Sequence, residues 1–348
     1  MGRNLVYISD GTLSSLRRGE ESHAGRLFRL LEERGQRPGQ LFDYDRGVQG
    51  KGWRRWLNAA SGTGINRSIM RGYAFLSTRW RPGDRIFLFG YSRGAYAVRS
   101  LAGMVGRIGL VRDGHRGERR LREAFGLYEA GSAPEMARFA TQHCHRKVPI
   151  QMVGAWDTVR ALGLPYPLLS YLAPAATEFH DHALGPHIAH GYHALALDET
   201  RTAFRPILWE RSADCQGRLE QCWFPGAHGD VGGDLRSNPD AAPLAHIPFA
   251  WMLCHGQRLG LDLPEDWGAR FPEDSTAPMQ GCQRGIARAF LMRKRREPDR
   301  GDGASLHISI VERMTALPGY RPFRVQQDAA KEEAEAPEIP SPLGPACH

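Results

Sequence analysis

Residues 85–100, RIFLFGYSRGAYAVRS, constrain the fold more than any other stretch of this chain. Ile86 to Phe89 form a short apolar run, which breaks at Gly90-Tyr91-Ser92-Arg93-Gly94. Ala95, Tyr96, Ala97 and Val98 then resume in a pattern that suits a helix. Strand, Gly-x-Ser-x-Gly and helix in succession make the turn that presents a serine hydroxyl at the end of a parallel sheet. Glycines at 90 and 94 let the backbone turn sharply without a Cβ clash, so Ser92 can be held in a strained conformation. The helix that follows aims its first N–H groups at any anion forming beside Ser92.

The remainder of the chain supplies strands and helices in alternation. Leu5–Ile8 reads as a buried strand ended by Ser9-Asp10-Gly11-Thr12. Residues 22–34 have helical spacing, with Ser22 as cap. Residues 40–44 read as a second strand, 47–64 as a glycine-rich loop and 65–80 as a helix leading into the Ser92 strand. Helix-compatible sequence then runs to about Thr141, and its arginine-dense part, 112–122, reads as a solvated face. Val148–Ala155 and Leu219–Phe224 read as further strands, and 243–259 and 283–295 as helices. Residues 160–205, rich in proline, histidine and alanine, read as an insertion over the active-site edge.

This alternation predicts an α/β class fold, with a mainly parallel central sheet and helices on both faces. One domain is expected over residues 1–322, with insertions at about 110–145 and 160–205. The acidic, proline-rich segment 323–348 is expected to be a loosely packed tail. Right-handed crossovers bring strand C-terminal ends to one rim, and so gather Asp10, Ser92, Asp157 and His228.

A serine needs a base to take its proton, histidine is the usual base, and a buried carboxylate orients the imidazole. Ser92, Asp157 and His228 occur in the order Ser…Asp…His, each after its own strand. The competing bases are His180, His182, His193 and His246; the competing acids are Asp198, Asp230 and Asp10. Asp230, two residues from His228, suits a local supporting role. The oxyanion site is expected to use the N–H of Arg93 and a second N–H from Gly11 or Thr12.

Neither a metal nor a cofactor is expected. His143-Cys144-His145 and His180-Asp181-His182 offer ligand types without a convincing third partner. No Walker or dinucleotide fingerprint is present, since Gly229–Gly233 lacks the G-x-G-x-x-G spacing. The six cysteines are scattered, which suits reduced thiols. A net charge of +8 permits attraction to an anionic surface; nucleic acid is not expected as a partner. The sequence carries no secretory signal pattern and no apolar run long enough to span a bilayer, so the expected site of synthesis and residence is cytoplasmic, with export by a non-classical route left open.

With these residues placed, the chain resembles the DUF2235 family of α/β-hydrolases. The matching segments are Asp10-Gly11-Thr12, GDRIFLFGYSRGAYAVRSLAG at 83–103, GAWDTV at 154–159, FHDHAL at 179–184, HALALDETR at 193–201 and QCWFPGAHGDVGG at 221–233. The sequence departs from the family pattern at Leu13, Gly229 and Asp234. The family includes type VI secretion lipase effectors. The resemblance therefore implies a serine hydrolase of the lipase or phospholipase kind, with Ser92 as nucleophile, Asp157 as acid and His228 as base. It implies an ester or phospholipid substrate, peripheral contact with an anionic membrane, and an immunity or secretion partner. Two other readings stay open: a soluble esterase on small non-lipid esters, and a catalytically silent binding protein. The segment 160–205 would act as a lid or as a structural cap, and 284–300, rich in arginine, would meet a bilayer surface or solvent.

Overall fold

The computed structural model describes residues 2–11, 14–47, 63–112, 117–159, 183–235, 238–282, 290–298 and 302–322. The sheet strands are β1 (Asn4–Ser9), β2 (Gln40–Asp45), β3 (Arg85–Tyr91), β6 (Ile150–Trp156), β8 (His190–Ala196), β10 (Arg218–Phe224) and β11 (Ala304–Leu306), lying in the order β11-β10-β8-β6-β3-β1-β2. Every pairing in this sheet is parallel. The chain steps one way from β1 to β2, then returns past β1 to lay down β3, β6, β8 and β10. The order therefore reverses between β1 and β3, where open α/β sheets place their ligands.

The fold class is α/β, with a hydrolase-like parallel sheet and helices on both faces. Side chains of a strand alternate between faces, so each central strand feeds two cores. Leu5, Tyr7, Ile86 and Leu88 pack toward α2 (Thr63–Arg79) and α3 (Arg93–Ile108). Val6, Ile8, Phe87, Phe89 and Trp156 pack toward α1 (His23–Arg34) and a long helix, Ala242–Arg258. β1 is buried at every residue because both faces are covered, whereas β2, at the sheet edge, alternates buried and half-buried residues. Ser22 caps α1 by accepting from Gly25 N at 3.2 Å.

Three expectations are corrected. Residues 190–196 are not part of an insertion: they are β8, a central strand hydrogen-bonded to β6 and β10 on its two edges. Its sequence, HGYHALA, has little intrinsic strand preference, but pairing on both edges outweighs propensity. At Gly191 a Cβ would lie 2.7 Å from the Leu184 side chain, so the strand's small residues are where neighbours approach closely. Residues 290–296 are not helical. They run extended, with Arg293 bridged to Arg201, and donate Lys294 N–H to Thr200 O at 2.7 Å while accepting from Thr202 N–H at Met292 O. The continuous helical stretch to Thr141 is broken after α3 at Gly109, which adopts a φ of 83°. Leu110–Val111 (β4) then pairs antiparallel with Cys144–His145 (β5) beside two helices, α4 (Glu118–Ala130) and α5 (Ala133–His143), and a second small ribbon pairs Ala183–Leu184 (β7) in parallel with Glu210–Arg211 (β9). The expected loop 47–64, except for its ends, the segment 160–182 and the tail 323–348 lie outside the described residues.

Candidate active site

Ser92 stands between β3 and α3 with φ 58° and ψ −118°. A non-glycine residue held there costs about 1–3 kcal/mol. The cost is carried by the helix behind it: Val98, Leu101 and Val105 of α3 are fully buried, and each such side chain contributes about 1.5–3 kcal/mol. Both flanking glycines are sterically required. A Cβ at Gly90 would lie 2.5 Å from the Gly94 backbone, and one at Gly94 would lie 2.0 Å from Ser9 O. Ser92 N–H donates to Trp156 O at 2.9 Å, which ties the turn to the end of β6.

His228 begins the short helix His228–Gly232, just past β10. Its Nε2 lies 2.9 Å from Ser92 Oγ, and its Nδ1 lies 2.6 Å from Asp157 Oδ2. The ring is wedged between Tyr91, stacked with centroids 4.9 Å apart, and the edge of Phe204, also at 4.9 Å. Its backbone N–H donates to Glu199 Oε2 at 3.2 Å, and Glu199 is in turn gripped by Arg201. The imidazole thus has one orientation, with a nitrogen toward each partner.

Asp157 follows β6, is fully buried and has a φ of 42°. Burial alone would push its carboxyl up. The Arg296 guanidinium and the hydrogen bond from His228 overcome that and hold it well below the usual carboxylate range. Arg296 is bidentate, with Nη1 2.6 Å from Oδ1 and Nη2 3.0 Å from Oδ2. The Ala196 N–H also donates to Oδ1, at 3.0 Å. Because Asp157 is held anionic, it accepts from Nδ1–H. A neutral imidazole has one N–H, so Nε2 is left to accept from the Ser92 hydroxyl.

A sequence model of the family described as T6SS, phospholipase effector Tle1-like, catalytic domain, matches residues 3–255. The chain belongs to this family. Among curated proteins, the uncharacterized protein YEL023C of Saccharomyces cerevisiae is 26% identical over 233 residues, covering 59% of this chain and 32% of that protein. Two solved structures are similar. One is a crystal structure of an uncharacterized protein from Pseudomonas aeruginosa, with a TM-score of 0.45, 15% identity, and coverage of 79% of this chain and 49% of the other. The second is the Tle1 effector bound to the VgrG spike of the type 6 secretion system, with a TM-score of 0.33, 18% identity, and coverage of 67% and 51%. The chain therefore spans about a third of the curated relative and about half of each structure.

Within this Tle1-like chain, the structure brings Ser92, His228 and Asp157 together and gives the rival residues other partners. His193, in β8, accepts from Thr158 N–H at 3.1 Å, and burial lowers it to about 3. His246 lies against Pro272 O at 2.8 Å and is lowered to about 4, chiefly by burial. Asp198 accepts from Gly226 N–H and Tyr320 Oη. Asp230 accepts from the N–H groups of Ala227, Gln280 and Gly281, so it ties the His228 turn to a distant loop. Asp10 is fully enclosed by Gly11 N–H, Ser14, Ser22 and Tyr44. This corrects one expectation: the Gly11 N–H is directed at Asp10 Oδ1, at 2.6 Å, and is thereby taken from the oxyanion position. Thr12, His180 and His182 lie outside the described residues. Among the described residues, no group of three or more His, Cys, Asp or Glu could hold a metal ion, and no helix is long and apolar enough to cross a membrane.

Arg296 went unmarked in the sequence. It lies beyond the family-matched residues, in the run Arg293-Lys294-Arg295-Arg296, where nothing local distinguishes the inward cation from its exposed neighbours. Glu199 and Phe204 were likewise invisible as site residues, because they come from the turn after a strand that composition had hidden.

Proposed function

We propose that this chain is a serine ester hydrolase that cleaves acyl esters of phospholipids through Ser92, His228 and Asp157. The observation that carries the reading is the continuous hydrogen-bond line from Ser92 Oγ through His228 to Asp157, with the serine on a strained strand-to-helix turn. His228 Nε2 takes the Ser92 proton as Oγ attacks the acyl carbonyl carbon, and Asp157 stabilises the resulting imidazolium. The tetrahedral oxyanion sits at the start of α3, met by the Arg93 N–H and the helix dipole. Thr12 is the remaining candidate for a second donor. The imidazolium then protonates the leaving alkoxide. In the second half, His228 takes a proton from water, hydroxide adds to the acyl-enzyme, and Ser92 recovers its proton as the fatty acid leaves.

Family membership supports the lipid substrate and a role as a type VI secretion effector. A secretion spike as delivery partner and an immunity protein as antagonist are proposals on the same basis. The deciding experiment incubates purified wild type and Ser92→Ala with phospholipid vesicles, follows the lipids by mass spectrometry, and labels both proteins with a fluorophosphonate. Free fatty acid and labelling are expected from wild type alone. Equal labelling of the two proteins would remove Ser92 from its role, and hydrolysis confined to short soluble esters would replace the phospholipid with a small ester.

A further inference from the structure

Leu291 and Met292 are 77% and 60% exposed, the two most exposed large apolar side chains among the described residues. They occupy an extended strap, 290–296, whose sequence is FLMRKRR. The preceding residue points the other way: Phe290 packs edge-on against Phe204 with centroids 5.4 Å apart, and Phe204 packs on His228. Arg293, Lys294 and Arg295 follow and are exposed, with one exposed carboxylate, Glu297, beyond them. Arg293 also bonds Thr200 Oγ1 and Cys282 O, and Arg295 reaches Arg321 O, so the basic stretch is fastened to the body of the protein. The strap ends on Arg296, which clamps Asp157.

We infer that the strap is an interfacial anchor, with Leu291 and Met292 entering the acyl boundary of an anionic bilayer while Lys294, Arg295 and Arg293 meet its headgroups. The inference rests on the lipid esterase reading and deepens it, since it names the surface on which the site works. Two adjacent apolar side chains followed by three cations match the two layers of such a surface in order, apolar first and charged behind. A zwitterionic bilayer offers the cations no net counter-charge. The strap's two ends both bear on the triad, Phe290 through Phe204 and Arg296 through Asp157, so docking occurs at the mouth of the site.

The test uses the full chain as Ser92→Ala, so that vesicles stay intact, and measures co-sedimentation with phosphatidylglycerol and with phosphatidylcholine vesicles. Binding to phosphatidylglycerol is expected, weakening as salt rises. The Leu291→Ser, Met292→Ser double variant is expected to lose about tenfold or more in partitioning, from the apolar area it withdraws. Lys294→Gln with Arg295→Gln is expected to lose about tenfold, on phosphatidylglycerol alone. In the Ser92 background both sets should keep turnover of a short soluble ester within about twofold, which also shows that they fold, and should lose turnover on phosphatidylglycerol vesicles in proportion to partitioning. Unchanged partitioning of the Leu291, Met292 variant overturns the inference. So does a change in oligomeric state in place of partitioning, which would make a second copy the occupant. If wild type hydrolyses no ester, the proposed chemistry falls, while co-sedimentation still decides the anchor.

Discussion

Asp10 and Asp157 occupy equivalent places, each fully buried just past the end of a parallel strand, yet they differ in their donors. Asp10 receives one backbone N–H and the hydroxyls of Ser14, Ser22 and Tyr44. Those neutral donors do not offset burial, and its carboxyl is pushed above the ordinary value. Asp157 receives a backbone N–H, an imidazole and a bidentate guanidinium, and its carboxyl is held below. Hydroxyl dipoles pin a carboxyl group in place; a desolvated carboxylate that must stay charged beside a histidine needs a cation. The Asp10 half of the rim is a structural knot joining β1, α1 and β2. The Asp157 half is built to keep a charge.

The sharpest break of this comparison replaces each acid by its amide. Asp157→Asn is expected to lower kcat by about 10⁴-fold, because the amide turns a donor toward Nδ1 and leaves Nε2 protonated; Ser92→Ala and His228→Ala should fall at least as far. Asp10→Asn is expected to stay within about tenfold in kcat and to destabilise by about 1–3 kcal/mol, since one acceptor oxygen is lost from a buried cluster. Comparable kcat losses for the two amides in ester turnover would erase the distinction between the halves.

Arg296→Met tests the cation itself. Leaving Asp157 without its buried partner is expected to cost about 3 kcal/mol or more. It should also move the acid limb of kcat/KM to higher pH, because the Asp157 carboxyl loses the guanidinium that holds it low against burial. Arg296→Lys keeps the charge without the fork, and should restore the limb while losing part of the rate. A limb that does not move in Arg296→Met would reduce Arg296 to packing.

The smallest effect concerns Asp230, raised to about 6 by burial against its three backbone donors. A raised carboxyl contributes stability that is complete below its unfolded value of about 3.9 and is lost as pH rises through about 6. Asp157, with its lowered carboxyl, contributes in the opposite sense, above about 3.9 and down to its folded value. Melting temperatures of wild type and Asp230→Asn should therefore shift in the mutant's favour by a few degrees between pH 5 and pH 7. A constant difference across that range would leave Asp230 an ordinary ionised acid.

The sequence by itself determined the parallel α/β frame and the meeting of Ser92, Asp157 and His228. Their elbow, strand ends and chain order are local signals, and right-handed crossovers leave strand ends one rim to share. It did not disclose β8, because HGYHALA becomes a strand only when β6 and β10 bond it from both sides. Nor did it turn Gly11 toward Asp10, or choose Arg296 from four consecutive cations. Those choices are made by desolvation: a buried carboxyl group takes whichever N–H or guanidinium the fold brings within reach, and its partner is fixed by packing across the whole chain rather than by the residues beside it.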